Sequence, residues 1–78
     1  MQGYTIEFAR KVRAGDKSKR GVVLGAIALS KGIPVANIAE YVGVSRTAVY
    51  GWFLGKYDPS RANALRLEEY VVGYAEAN

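Results

Sequence analysis

The side chains able to engage another molecule are gathered in one stretch of this 78-residue chain. They lie in Ser45-Arg46-Thr47-Ala48-Val49-Tyr50-Gly51-Trp52-Phe53-Leu54 and in the Gly55-Lys56-Tyr57 that follows. If 45–54 is a helix, Ala48, Val49, Trp52 and Phe53 form one stripe, and Ser45, Arg46, Thr47, Tyr50, Gly51 and Leu54 point the other way. The outward set is short, partly polar and uncharged apart from Arg46. Its donors and acceptors suit base edges in a major groove, where Arg pairs with guanine, Ser and Thr bond to either base type, and methyl groups meet thymine. The local alternative for Arg46 is an ion pair with Glu40 or Asp58.

Covalent chemistry is poorly provided for. The chain has no histidine, which removes the commonest general base and the commonest metal ligand. It has no cysteine either, which excludes disulfides, thiolate nucleophiles and Cys-based zinc fingers. The carboxylates that remain do not converge in pairs at motif spacing. No catalytic residue, metal or cofactor is expected, and the chain does not read as an enzyme.

Five helix-sized pieces, cut by Gly and Pro, must position the outward set. The first runs over about 5–14, with Thr5 as its cap, Gly15 as its stop, and an apolar stripe of Ile6, Ala9 and Val12 or of Phe8 and Val12. The second covers about 19–31, with Ser18 as candidate N-cap and Gly32 where a left-handed residue belongs. The third spans about 34–41, with Pro34 at its first position, where a missing N–H costs nothing. Val35, Ile38, Ala39 and Val42 give it one buried face at i, i+3, i+4 and i+7, and Gly43 ends it. The fourth, 45–54, is capped by Ser45. The fifth opens near Asp58-Pro59-Ser60 and carries Ala64, Leu67, Val71 and Tyr74 as its stripe, with Leu65 and Val72 beside it. Strand signals are weak, so the expected fold is all-α: a compact bundle of about five short helices in one domain over 1–78, with 1–18 as a basic N-terminal extension and 60–78 as a C-terminal helix.

Charge is lopsided within a net +4: residues 1–31 carry a net of +5, residues 32–60 balance to zero and residues 61–78 come to −1. A basic N-terminal third suits a polyanionic partner, and a solvated face is the plainer account of it. The segment is either an ordered helix or an arm entering a groove. The longest apolar stretch, Val22 to Leu29, is too short to span a bilayer, and the start lacks the layout of a secretory signal. The expectation is a soluble cytoplasmic, nucleoid-associated protein with no membrane partner and no small-molecule ligand.

The third and fourth pieces are joined by a turn of about three residues containing a glycine, the layout of a helix-turn-helix. Ala39 sits where the two helices would cross, Gly43 where positive φ is needed, Val44 where the turn plugs into the core, and Val49 and Trp52 where the second helix faces the first. The loop behind them reads Gly55-Lys56-Tyr57-Asp58-Pro59-Ser60. In these residues the chain resembles the lambda-repressor-like, Cro/repressor-type helix-turn-helix domains of phages and bacteria over about residues 20–75, most closely from Ile38 to Ser60.

The resemblance implies that Arg46, Thr47 and Tyr50, with Ser45 at the helix start, read base edges, and that Gly55, Lys56 and Tyr57 touch a phosphate. It also implies a homodimer on two half-sites of double-stranded DNA about one helical turn apart. The chain departs from the family in having Val35, preceded by Pro34, where a phosphate-contacting Gln is common. Gly51, inside the reading helix, costs ~1 kcal/mol relative to Ala, which close approach to DNA or to a neighbouring side chain would explain. The basic run from Arg10 to Arg20 is an addition, and Lys19 and Arg20 within it are candidate phosphate contacts that would offset the missing Gln. The function expected is that of a Cro-like transcriptional repressor acting by occupying an operator, with no room for a sensing domain. The rival is a protein-interaction module of the antirepressor or antitoxin kind. The final helix, through Leu67, Tyr70, Val71 and Tyr74, either packs on the domain or meets a second subunit.

Overall fold

The structure, a computed structural model, describes residues 4–77, so Met1, Gln2 and Gly3 of the predicted extension and Asn78 of the predicted last helix lie outside the described residues. Helices α1 (Ile6–Arg13), α2 (Arg20–Lys31), α3 (Val35–Val42), α4 (Arg46–Leu54) and α5 (Arg61–Ala77) follow one another with no strand among the described residues. The fold is the all-α helical bundle that the sequence predicts.

Local chemistry sets the helix ends. The Thr5 hydroxyl accepts from the Phe8 amide at 3.0 Å, the Ser45 hydroxyl from the Ala48 amide at 3.2 Å and the Ser60 hydroxyl from the Asn63 amide at 3.2 Å. Each supplies an acceptor to an amide that has no partner inside its helix. At the other ends Gly32 and Gly43 take left-handed backbone, with φ of 66° and 87°. The amides beyond them, Ile33 and Val44, then turn back to Ala28 O and Ala39 O.

Two predicted ends are corrected. Ser18 is not the cap of α2: Lys19 holds that place and gives no side-chain bond to it. The Ser18 hydroxyl instead donates to Asp16 Oδ1 at 2.6 Å, and its amide donates to the same oxygen at 2.9 Å. These bonds hold the Asp16 carboxyl below its ordinary pKa and fold Ser18 into the turn after α1, one residue short of the capping position. Pro34 is the residue before α3, with ψ of 136°, and Val35 is the first helical one. A proline lacking an N–H is as cheap there, since the helix asks no donor of it.

One core joins all five helices: Val12 from α1, Leu24 and Ala28 from α2, Ile38 and Ala39 from α3, Val49, Trp52 and Phe53 from α4, and Leu67 and Val71 from α5. Between the two stripes possible for α1, packing selects Phe8 and Val12, and leaves Ile6 78% exposed. Leu67 and Val71 are in the core, so of the residues expected either to pack or to meet a second subunit, these two pack.

How close α2 comes to α4 is decided by two glycines one turn apart. A Cβ on Gly21 would sit 2.7 Å from the Trp52 carbonyl oxygen, and one on Gly25 would sit 2.7 Å from Phe53 Cγ. Both separations are inside van der Waals contact, so the helices pack at this distance only because these positions carry no side chain. At the far side, α5 meets α3 through Tyr41 and Tyr70, whose ring centroids are 4.9 Å apart, and through the Tyr41 hydroxyl, which donates to Glu69 Oε1 at 2.9 Å. That bond to the carboxylate raises the Tyr41 pKa.

Candidate nucleic-acid interface

Helix α4 is built from its buried side outward. Val49, Trp52 and Phe53 anchor α4 in the core, and Ala48 packs half-buried at its margin, as the sequence predicts. Of the six residues expected to point away, Ser45, Arg46 and Thr47 are exposed. Arg46 pairs with neither Glu40 nor Asp58: the ion pair found among the described residues joins Arg20 to Glu68 at 2.8 Å. The Arg46 guanidinium and the Thr47 hydroxyl have no hydrogen-bond partner within the described residues. Ser45 uses its oxygen as the helix cap, which leaves its hydroxyl proton free to donate. α4 itself contains no acid.

The remaining three are not open to solvent in the way the helical pattern suggests. Leu54 is half-buried against the core. Tyr50 is half-buried, meeting Phe8 edge to face with centroids 5.2 Å apart, and Phe8 stacks on Tyr4 at 5.8 Å. The Tyr4 hydroxyl donates to Ile33 O at 2.8 Å. Burial first, and the nearby Tyr50 hydroxyl second, hold the Tyr4 phenol well above its ordinary pKa of 10.0. This aromatic run docks α1 on α4 and on the loop before α3. The segment left open between ordered helix and arm is therefore, from Ile6 to Arg13, an ordered helix.

Gly51 is buried by a side chain from outside its helix. The ring of Tyr57 lies over it so closely that a Cβ there would come within 2.7 Å of Tyr57 Cε1 and nearer still to two further ring-end atoms. The Tyr57 hydroxyl reaches to 3.5 Å from Thr47 O, too long for a strong bond. Of the two reasons the sequence left open for this glycine, the structure supplies the neighbouring side chain.

The loop behind α4 is fastened at the backbone. The Gly55 amide donates to Trp52 O and the Lys56 amide to Gly51 O, closing the helix with Gly55 at φ 77°. Both amides are thus spent on the helix end, and the Lys56 ammonium, exposed and without a partner among the described residues, is the group free to meet an anion. Lys19 is brought beside it: its ammonium donates to Gly55 O at 3.1 Å, with two N–H groups to spare. Arg20, also a candidate phosphate contact, is engaged with Glu68 by a second bond from Nε at 3.1 Å, and this holds the Glu68 carboxyl below its ordinary value. Gly21, Gly25 and the seat of Tyr57 were not anticipated from sequence. Glycines four apart in a helix are the signal that could have pointed to the first two.

Comparison with known families matches residues 24–71 to the family described as Helix-turn-helix. The match opens inside α2 and runs through α3, the Gly43 turn, α4 and most of α5, leaving α1 and the basic turn after it outside. No curated protein and no solved structure gives a match. Among the described residues no helix is long and apolar enough to cross a membrane. With Ala39 buried in α3, Gly43 turning the chain, and Val49 and Trp52 seating a second helix whose exposed start carries Ser45, Arg46 and Thr47, the chain belongs to the lambda-repressor-like, Cro/repressor-type helix-turn-helix family of DNA-binding regulators.

Proposed function

We propose that this protein is a sequence-specific regulator of transcription that lays α4 in the major groove of an operator, in the manner of a Cro-like phage or bacterial repressor. The observation carrying this reading is the exposed, acid-free start of α4, where Arg46 and Thr47 have no partner among the described residues. Nine residues of helix are about 13.5 Å long, and the groove is about 12 Å wide. Arg46 reads a guanine through two N–H groups, and the Thr47 and Ser45 hydroxyls bond to a neighbouring base. Tyr50 takes part with the side that Phe8 leaves uncovered. Lys56 and Lys19, the latter bonded to Gly55 O, hold flanking phosphates, and Arg20 offers a further phosphate only the N–H groups that Glu68 leaves unused. Blocking polymerase by occupancy requires no chemistry of the protein.

The same reading takes two copies on two half-sites. Leu67 and Val71 being in the core, the surface for a second copy is the outer flank of α5. There Leu65 is 64% exposed and Val72, two turns on, is half-buried. Sedimentation checks this directly: the protein should sediment as a dimer and Leu65→Lys as a monomer, and a monomeric wild type at high concentration refutes it.

The deciding experiment is fluorescence anisotropy on a randomised duplex pool over a salt series, followed by sequencing of the retained fraction. The expected result is binding that weakens steeply with salt, a partly palindromic motif, and an Arg46→Ala variant that loses about 1–3 kcal/mol and relaxes one position in each half-site. Binding without enrichment contradicts sequence reading by α4. Absence of binding at low salt contradicts the DNA reading altogether and points to a protein partner.

A further inference from the structure

The outward face of α4 is interrupted where a reading helix most needs a side chain. Thr47 and position 51 are one turn apart, on the same side, and position 51 is a glycine. From beyond the helix end, Tyr57 folds back and fills that place. Its ring is pressed onto Gly51 with its hydroxyl near Thr47 O, and the side chain remains 49% exposed. The phenol end of the side chain lies on the helix at Gly51, and the half of the residue that stays exposed lies one turn from Thr47 on the same side of α4. The residue at 51 has been supplied, in effect, from six positions later in the chain.

We infer that Tyr57, seated on Gly51, is a base-reading residue of this interface, and that its ring meets the C5-methyl of a thymine in the base pair next to those read by Arg46 and Thr47. The inference rests on the proposed DNA reading and assigns Tyr57 a role different from the phosphate contact that family resemblance implies. A flat apolar surface on the groove-facing side of a helix is what a thymine methyl takes up, and cytosine offers no such group. The Tyr57 hydroxyl, the group that would donate to a phosphate, is turned toward Thr47 O. The α4 backbone amides near Tyr57 are already paired with carbonyls, so no donor of the helix end competes for this position.

Tyr57 is exposed and outside the core, so its substitution leaves the fold intact. Gly51→Ala keeps the phenol and unseats it, because the atoms in the way are the far end of a side chain that can swing out. The experiment is the pool selection on wild type, Tyr57→Ala and Gly51→Ala, with thermal melts as controls, followed by single replacement of each selected thymine by deoxyuridine. Wild type should lose roughly fourfold in affinity at one deoxyuridine position per half-site, the worth of one buried methyl-sized group. Tyr57→Ala and Gly51→Ala should both be indifferent to that replacement and show a flattened preference at that base pair alone. Uniform weakening across all sequences with a shallower salt dependence would overturn the inference in favour of a phosphate contact. An unchanged motif would overturn it outright. A wild type that selects no motif refutes the underlying DNA reading instead, which separates the two failures.

Discussion

Replacing Gly25 by Ala should destabilise this protein, although the same change elsewhere in it should stabilise. Both Gly25 and Gly73 lie inside helices, where exchanging Gly for Ala is worth up to about 1 kcal/mol in favour of folding. At Gly73 a Cβ meets nothing within 4 Å, so that gain is realised in full. At Gly25 the Cβ would stand 2.7 Å from Phe53 Cγ, 2.9 Å from its Cβ and 3.0 Å from its Cδ1, and Phe53 is completely buried. With no direction in which that ring can yield, α2 and α4 must separate, and overpacking of this kind costs about 1–3 kcal/mol. Taking the upper part of that range, Gly25→Ala is expected to lose about 1–2 kcal/mol net and Gly73→Ala to gain about 1. Gly21→Ala should lose at least as much as Gly25→Ala, since its obstacle is the Trp52 carbonyl, which cannot rotate away. Urea unfolding followed by the emission of Trp52, the one tryptophan, reads all three. In heat, each kcal/mol is about 4–8 °C for a domain this small. If Gly25→Ala proves as stable as Gly73→Ala, the missing side chains do not set the α2–α4 approach and do not position α4. Where the packing account holds, Gly25→Ala should also bind DNA less well while still folded, because α4 is displaced.

Three further outcomes are expected. The Tyr4 phenol has its pKa raised above 10.0, so the folded state holds its proton more tightly than the unfolded chain. The stability this contributes is complete below pH 10 and declines as pH climbs beyond it, and Tyr4→Phe should abolish the decline while costing about 1 kcal/mol for the lost bond to Ile33 O. Glu68 is the opposite case: Arg20 depresses its pKa, so its contribution is present above the ordinary carboxylate range and fades as pH falls through the lowered value. Being exposed and screened, it should be small, visible as a shallower acid limb of the melting profile in Glu68→Gln and weakened by salt. Lys56→Ala should reduce the slope of log affinity against log salt by about 1 and leave the selected motif intact, and a changed motif would show that Lys56 does not act on a phosphate.

What could be read in the sequence is what neighbours along the chain decide. Thr5 and Ser45 bond to amides three residues ahead, and Gly32 and Gly43 turn the chain where a Cβ would be strained, so these helix ends were legible residue by residue. The buried face of α3, Val35, Ile38, Ala39 and Val42, followed from a period of 3.6, and the Val49 and Trp52 seat of α4 likewise. Where local reading went astray, a second local bonding pattern was present, as when Asp16 folded Ser18 into the turn after α1. Arg46 and Thr47 were legible as an exposed pair because they lie in the first turn of α4, away from the Val49, Trp52 and Phe53 stripe.

The tertiary structure alone decided which of the candidate residues are available. Helical periodicity assigns a direction and says nothing of what arrives from elsewhere: Phe8 against Tyr50, Tyr57 over Gly51, the Lys19 ammonium on Gly55 O, and Glu68 on Arg20. These partners are brought together only once helices are packed, at a separation that Gly21 and Gly25 set by carrying no side chain. The sequence by itself therefore determined the helices, their ends and their buried faces, because hydrogen bonding and burial along one helix act within a few residues. The working surface was left to the fold, because side chains from distant positions compete for the same few ångströms of that surface, and the winner depends on distances between helices that no local pattern records.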